Sequence, residues 1–531
     1  MPSRTAQLWH AAYDQGVPIE IHHFHLPLPR LLDDAAARYP GRPCTTFNSE
    51  TLSYLQVRAL TDRFAGGLHG LGVGVHDRVA LLLPNCPPFV IGYYGALKAG
   101  AVVVPLNPLC TAPELTRYLR ESGAVAVVTV PQLLDLVVPQ RGQTPLRHVI
   151  VAGGAQPGTG GDGTVVAFEA LLGSPPAAAQ KVDADGVALL MFTGGTTGAP
   201  KAIMLSHAQC VAHARQAAAW GSIDADDRFL AVLPLFHGFG MGITMNLPVL
   251  AGAEIVLLPR FQPAEVLDAI ERYRPTLLIG VPTMFAALTA ERDLATRDLT
   301  SLQGVFVGAA PLTRTVKDGF EAATGARMIE GYGLTEAVTA VMANPYHGTH
   351  KLGSVGVPFP GADARIVSID SGRDLPPGER GEIVLRSPTV MLGYAGDPDA
   401  TARTIRDGWL YTGDVGWMDG DGYFYVTDRI KEMIITGGYN VFPGEIDQVL
   451  EQHPDVRSAA VIGVPDPYKG ERIRAYVVRR PGATVTADEL VAYAMEHLVP
   501  YKVPSEVVFR SQLPMTPIGK VARRALQDGV G

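Results

Sequence analysis

Cysteine is scarce: only four occur in 531 residues, at positions 44, 86, 110 and 210, and no two of them form a CxxC pair. That spacing argues against a disulfide framework, a zinc site or a redox dithiol, and it fits a reducing cytoplasm. Charge is also thin. Asp, Glu, Lys and Arg make up 18% of the chain, and 44 basic residues against 52 acidic ones leave a net charge of −8. No Lys/Arg cluster suited to a phosphate backbone interrupts that balance, so no nucleic-acid partner is expected. Residues 1–16 lack the apolar core of a signal peptide, so export is not expected either. Finally, no membrane span stands out. The stretches 79–97 and 229–253 carry no Asp, Glu, Lys or Arg, but Pro84, Asn85, Pro87 and Pro88 break the first, and Pro234, His237, Asn246 and Pro248 break the second. Such breaks leave backbone groups unsatisfied in lipid, so both stretches read as buried strands and helices. Peripheral membrane contact and a homodimer stay open.

Apolar material is plentiful, at 47%, and 58 glycines and 42 prolines make the chain rich in turns. Its length suggests two to four domains. From Pro29 onwards, short β-branched runs (RVALLLP, AVVVPLN, AVAVVTV, HVIVAG, GVALLMF, AEIVLLP, PTLLIGVP, GVFVGAA) alternate with helical patterns. That alternation predicts α/β layers with much parallel sheet. After Arg365, short strands separated by DG and GD turns predict a β-rich subdomain of hairpins. Beyond Asp428–Lys431 the pattern becomes α+β, including a helix opened by the capping-box spacing Thr486 to Glu489. The expected domains are 1–427, a hinge at 428–431, and a smaller mobile C-terminal domain at 432–531.

Four segments carry chemistry. The first is Thr193-Gly194-Gly195-Thr196-Thr197-Gly198-Ala199-Pro200-Lys201, which follows the strand-like GVALLMF and precedes a helical stretch with the capping-box spacing Ser206 to Gln209. Glycines let backbone N–H groups converge on an anion, threonines add hydroxyl donors and lysine adds charge, so this is a phosphate-cradling loop. Neither GxxxxGK[ST] nor GxGxxG fits it, which excludes a Walker loop and a dinucleotide oxidoreductase. The second segment, Glu330-Gly331-Tyr332-Gly333-Leu334-Thr335-Glu336, sets an aromatic ring, a hydroxyl and a carboxylate within five residues. Such a set could stack a purine, bond a phosphate and hold Mg²⁺, although for the segment taken alone an ordinary turn is the preferred reading. Third come Asp414, read as a carboxylate at a hairpin turn able to accept ribose hydroxyls, and the runs Thr427–Lys431 and Gly437-Gly438-Tyr439-Asn440. The last is Lys520 in a proline-braced loop, which by itself reads as a solvated charge.

Order and spacing decide what the single segments leave open. Over nearly its whole length, from about Ile19 to Leu526, the chain resembles the adenylate-forming family of acyl-CoA synthetases, firefly-type luciferases and peptide-synthetase adenylation domains. Within that family the likeness is greatest to bacterial long-chain fatty-acid–CoA ligases, through Gly194 in TGGTTG, the block LPNCPPFVIGYYGALKAGAVVVPLNPL and the segment HPDVRSAAVIGVPDPYKGE. The resemblance implies a two-step ligase that uses ATP, Mg²⁺, coenzyme A and a fatty acid. Thr193–Gly198 and Lys201 would cradle the β- and γ-phosphates. Thr335 would meet the α-phosphate, and Glu336 with Thr193 would place Mg²⁺. Tyr332, between Gly331 and Gly333, would flank the adenine together with Gly308, Ala309 and Ala310, while Asp414 and Arg429 would hold the ribose. His237 would line the carboxylate side, with packing or gating preferred to a role as base. Lys520 would serve the first step and Gly437 and Gly438 the second, with Lys431 as the hinge between them.

Two positions depart from the family pattern: Ala202 stands where a glycine usually follows the lysine, and Ile435 where several relatives carry a lysine. The chemistry itself needs no nucleophilic side chain. A carboxylate facing a polyanion needs positioning and charge neutralisation, and a thiol needs only modest help to displace an adenylate. An aryl or medium-chain acid–CoA ligase of the 4-coumarate kind is the main alternative. A catalytically silent fatty-acid-binding protein is a lesser one.

Overall fold

The computed structural model describes residues 8–21, 25–154, 164–192, 200–436, 439–515, 521–527 and 529. Among these, nine strands make one sheet, in the order Val357–Pro358, Ala340–Ala343, Arg327–Gly333, Gly304–Val307, Leu277–Gly280, Arg228–Ala231, Glu254–Leu257, Pro43–Phe47 and Glu50–Ser53. Its middle six strands run parallel. A strand such as Leu277–Gly280 is buried at every position, as expected for a parallel sheet covered on both faces. A second sheet runs in the order Gly393–Tyr394, Ala202–Ser206, Val187–Phe192, Val102–Pro105, Arg78–Leu81, Ala126–Thr129, His148–Val151 and Val165–Ala167. The parallel α/β layers expected from the alternating runs are therefore present twice.

One element is not foreseen: Val187–Phe192 pairs antiparallel with a strand Ala202–Ser206, Phe192 facing Ala202, ahead of the expected helix. The helix His207–Gly221 begins only afterwards, closed by the expected capping box: Ser206 Oγ accepts from Gln209 N at 3.1 Å, and Gln209 Oε1 accepts from Ser206 N at 2.8 Å. Five residues of strand thus separate Lys201 from the helix start.

The two uncharged stretches are core elements. The first becomes the strand Arg78–Leu81 and the helix Pro87–Lys98, buried from Phe89 onwards. Its last residue, Lys98, is itself buried, with Nζ 2.7 Å from Asp33 and 2.5 Å from Asp62. The second stretch becomes the strand Arg228–Ala231, the short helix Gly238–Met241, a π turn over Gly242–Asn246 and the helix Leu247–Ala251. No described helix is long and apolar enough to cross a membrane.

The β-rich region is an antiparallel sheet of Asp363–Val367, Gly381–Arg386, Trp409–Met418, Ile405–Arg406 and Phe424–Arg429. The chain leaves this sheet at Arg429, makes the 3₁₀ turn Ile430–Glu432, and enters a different sheet at Ile434. That last sheet joins Tyr439–Val441, Ile434–Thr436, Gly470–Arg479, Val456–Asp466 and Glu506–Phe509. The helices Pro443–Glu451 and Ala487–His497 cover it through Ile446, Leu450, Leu490 and Ala494, which form their own apolar cluster with Val461 and Val477. The molecule is therefore a mixed α/β protein with a large N-terminal assembly, a β-rich portion and a smaller α+β unit at the C-terminus.

Candidate functional site

The strand Arg327–Gly333 carries the second motif to the end of the nine-stranded sheet, and a tight reversal through the 3₁₀ turn Thr335–Ala337 returns it as Ala340–Ala343. Gly333 is required here, because a Cβ at that position would lie 1.8 Å from Thr339 O. The reversal also holds Val338 at φ +67° and ψ −61°, a strained conformation for a β-branched residue. Ala309, just beyond the neighbouring strand Gly304–Val307, is likewise left-handed at φ +72°. Two strained non-glycine residues thus flank the same sheet end, and the packing around them must hold the strain.

Tyr332 reaches out of this strand to the β-rich sheet. Its hydroxyl donates to Asp414 Oδ2 at 2.5 Å, and Arg429 Nε lies 2.8 Å from Asp414 Oδ1. Asp414 was expected at a hairpin turn, but it lies inside the strand Trp409–Met418, directly opposite Arg429 across an antiparallel pair. The DG and GD pairs that suggested a turn are short enough to continue as bulged strand; the register shifts between Val415 and Gly416. With its side chain only 3% exposed, Asp414 is a fixed, buried acceptor rather than an Asx-turn. Burial and the adjoining carboxylate push the Tyr332 hydroxyl well above its ordinary pKa, so it acts as a donor. Asp414 likewise raises the pKa of Arg429 and keeps its guanidinium charged.

On the other side, Glu336 Oε1 accepts from the Tyr394 hydroxyl at 3.0 Å, and Met391 N donates to Glu336 O at 2.8 Å. Tyr394 belongs to the edge strand Gly393–Tyr394, paired with Ala202–Ser206, so the carboxylate is tied to the sheet that carries the glycine-rich loop. Lys201 Nζ sits 4.8 Å from the Tyr394 ring centroid and 3.2 Å from Asp397 Oδ2. Ala202 lies in extended strand, so this position needs no left-handed backbone and the methyl group is tolerated.

His237 caps the short helix Gly238–Met241, with Nδ1 accepting from Phe239 N at 3.2 Å. That lone pair holds the turn. The turn presses on the strained reversal: a Cβ on Gly238 would lie 2.6 Å from Val338 O. Gly308 is wedged similarly, since a Cβ there would lie 3.3 Å from both Gly331 O and Phe239 Cζ. Residues Gly308, Ala309, Ala310, Gly331, Tyr332, Gly333, Thr335, Glu336, His237, Lys201, Asp414 and Arg429 therefore converge from three sheets on one region.

Lys431 follows at once in the 3₁₀ turn Ile430–Glu432, where its surroundings and Arg429 lower its pKa although its side chain keeps an exposed surface. Among the other expected residues, Thr193, Gly194, Gly195, Thr196, Thr197 and Gly198, Gly437 and Gly438, and Lys520 lie outside the described residues. The ends of the segment bearing Lys520 are pinned together: Met515 and Val521 form an antiparallel bridge, and Ala522 N donates to Pro514 O at 2.8 Å. Ile435 has a half-exposed side chain, and its backbone N–H donates to Glu471 Oε2 at 2.7 Å.

Sequence reasoning missed Tyr394 and Asp397, and gave no role to the buried Glu330 although it opens the second motif. Tyr394 and Asp397 fall in a Gly-Tyr-Ala-Gly-Asp-Pro run whose Asp397 caps the helix Pro398–Thr404; an Asp-Pro helix start was the available signal. Glu330 receives Leu312 N at 3.2 Å and Gly353 N at 3.3 Å, and burial raises its pKa to about 7. It clamps the segments on either side of the Tyr332 strand.

The donor chemistry suits magnesium. Glu336 commits one oxygen to Tyr394, the neighbouring groups are hydroxyls, and among the described residues no cluster of three His, Cys, Asp or Glu side chains could cage a metal. Magnesium ordinarily keeps waters and substrate phosphates and takes only one or two carboxylates, so a single carboxylate with hydroxyl neighbours fits it.

A buried acceptor carboxylate backed by arginine thus lies at an aromatic strand end, and a smaller α+β unit follows it in the chain. The chain belongs to the AMP-binding enzyme family, which matches residues 32–395, and residues 445–520 match the AMP-binding enzyme C-terminal domain. It is an adenylate-forming acid–CoA ligase, and ligases of this kind use ATP, Mg²⁺ and CoA. It is 37% identical over 545 residues to a long-chain-fatty-acid–CoA ligase of Bacillus subtilis (strain 168), covering 98% of this chain and 97% of that one. It is 39% identical over 493 residues to a feruloyl-CoA synthase of an Amycolatopsis species, covering 93% and 96%. Among solved structures, the anthranilate–CoA ligase AuaEII in complex with anthranoyl-AMP aligns with a TM-score of 0.87 at 28% identity, covering 96% of this chain and 98% of that one.

Proposed function

We propose that this chain ligates a long-chain fatty acid to coenzyme A through an acyl-adenylate, releasing AMP and pyrophosphate. The observation that carries the acyl assignment is the 37% identity to the Bacillus subtilis long-chain ligase across 98% of the chain. In this reading Asp414, held by Tyr332 and Arg429, accepts the ribose hydroxyls, and the 308–310 and 331–333 segments flank the adenine. Thr193–Gly198 and Lys201 bind the outer phosphates, Thr335 orients the α-phosphate, and Glu336 with Thr193 would hold magnesium. The ion supplies charge neutralisation for the phosphates when bound.

The fatty carboxylate then attacks the α-phosphorus, with Lys520 offsetting the charge that develops there. The work lies in positioning and in a fixed electrostatic environment rather than in covalent catalysis. For the second step the C-terminal unit, residues 432–531, turns about 428–431 and brings Gly437 and Gly438 to the thiol's path. The 428–431 hinge is supported by the exchange of one sheet for another between Arg429 and Ile434.

The feruloyl-CoA synthase relative, at 39% identity, favours a second reading in which the acid is aromatic. A panel of acetate, octanoate, palmitate, oleate and coumarate, with ATP, Mg²⁺ and CoA, decides between them by release of AMP and pyrophosphate. Palmitate or oleate should give the highest kcat/KM, because each methylene that enters an apolar site contributes about 0.8 kcal/mol. Preference for coumarate would overturn the long-chain assignment in favour of the aryl one.

A further inference from the structure

The helix Pro443–Glu451, the first of the C-terminal unit, has no side-chain cap of its own, since Phe442 stands at its N-cap position and offers no acceptor. The acceptor comes from across the junction. Asp428, in the strand Phe424–Arg429 of the β-rich sheet, takes the Gly444 backbone N–H on Oδ1 at 2.8 Å. The approach requires glycine: a Cβ on residue 444 would lie 2.6 Å from Thr427 O and 3.0 Å from Asp428 Oδ1. Asp428 is buried, and its other oxygen, Oδ2, has no hydrogen-bond partner among the described residues.

The charges around this carboxyl do not favour its ionisation. Glu432 from the 3₁₀ turn and Glu445 from the capped helix both face it and repel it. Arg523, from the last helix, attracts it, but that guanidinium is engaged by Asp447 and by Glu432, the latter at 3.2 Å. Glu445 in turn is held by Lys502 at 2.7 Å and by Arg380, from the N-terminal side, at 3.4 Å. Burial dominates and raises the Asp428 pKa to about 7, despite the Gly444 bond and Arg523.

We propose that Asp428 is a positioning residue that docks the C-terminal unit in the orientation seen here by capping Pro443–Glu451 from across the junction, and that ionisation of its carboxyl releases the unit. The proposal rests on the reading above that the unit turns about 428–431. Its sign follows from linkage. The docked carboxyl titrates near 7, whereas in solvent an aspartate returns to roughly 3.9. Docking is strongest at the lowest pH, weakens by up to about tenfold per pH unit as the pH rises towards 7, and is constant above that.

The test uses the full chain with donor and acceptor dyes on Ser371→Cys and Thr484→Cys, two exposed positions on opposite sides of the junction; the four native cysteines are all buried. In the wild-type background, transfer efficiency should change between pH 5.5 and 7 and level off by pH 8. Asp428→Asn keeps an uncharged acceptor and should hold the low-pH value throughout. Asp428→Ala has no acceptor and should stay released at every pH. Amide exchange at Gly444 provides a second readout, with protection kept in the asparagine variant and reduced at least about tenfold in the alanine variant. If the asparagine variant retains the wild-type pH response, or if both variants give the same efficiency, the latch is overturned. An efficiency that responds to MgATP and CoA but to neither substitution sinks the latch alone. An efficiency that responds to nothing sinks the two-orientation reading and the latch with it.

Discussion

Tyr332 and Asp414 stand 82 residues apart in sequence, in different sheets, yet the Tyr332 hydroxyl donates to Asp414 Oδ2 at 2.5 Å. The bond stitches the strand Arg327–Gly333 to the β-rich sheet and fixes the carboxylate oxygen opposite the one that Arg429 engages. Removing it frees a buried acceptor, and hydrogen bonds to charged groups contribute about 1.5–3 kcal/mol. Tyr332→Phe should raise KM for ATP by on the order of tenfold with a smaller effect on KM for the fatty acid. Asp414→Ala should do more. Pyrophosphate exchange at varied ATP measures both, and an equal rise in the two KM values would contradict the ribose assignment.

Glu336 is oriented by Tyr394 rather than by a neighbour in its own turn. Glu336→Gln should slow adenylate formation by on the order of 10²–10³, the scale seen when one preorganised charge-stabilising group is lost. Tyr394→Phe leaves the carboxylate in place but unguided. Its expected signature is a several-fold higher Mg²⁺ concentration for half-maximal rate, with near-normal activity once magnesium is saturating. Loss of activity that magnesium cannot restore would assign Tyr394 a different part.

Lys520 is proposed to act only while the adenylate forms. Lys520→Ala should therefore lower the first step by on the order of 10²–10³ while sparing thioester formation from supplied acyl-AMP. Single-turnover transfer to CoA from isolated acyl-AMP gives the comparison. An equal fall in both half-reactions would remove the lysine from its assigned role.

Glu330 is a buried clamp whose pKa is raised from 4.5 to about 7. The folded state thus holds this proton more tightly than the unfolded chain. Its contribution to stability is full below about 4.5, declines as the pH rises, and is gone above about 7, for a total on the order of 1–3 kcal/mol. Glu330→Gln cannot ionise, so denaturant midpoints measured from pH 5 to 8 should show a flatter profile than the wild type. Unchanged slope would mean that the carboxyl is already ionised at pH 5.

Much of this was legible in the one-dimensional pattern. Apolar runs bounded by turns gave the strands of the two parallel sheets, and capping-box spacings located the starts of His207–Gly221 and Ala487–His497, because these signals depend on residues within a turn of one another. The change of texture near 428–431 marked the passage between sheets for the same local reason. The motifs also included Asp414 and Arg429, the pair that Tyr332 meets across the sheets.

Other features could only come from tertiary structure. The strand Ala202–Ser206 read as the approach to a helix, since five residues of mixed apolar character do not identify a strand until Phe192 pairs with Ala202. Asp414 read as a turn residue because its partners, Tyr332 and Arg429, are distant in sequence or hidden by β-register. Tyr394 drew no notice until the strand Gly393–Tyr394 set it against Glu336. Sequence by itself determined which chemical groups this protein has and the local elements that carry them, because both follow from short-range propensity and periodicity. Folding alone decided which groups are buried, strained or paired, because burial and long-range hydrogen bonds arise only when separate elements meet.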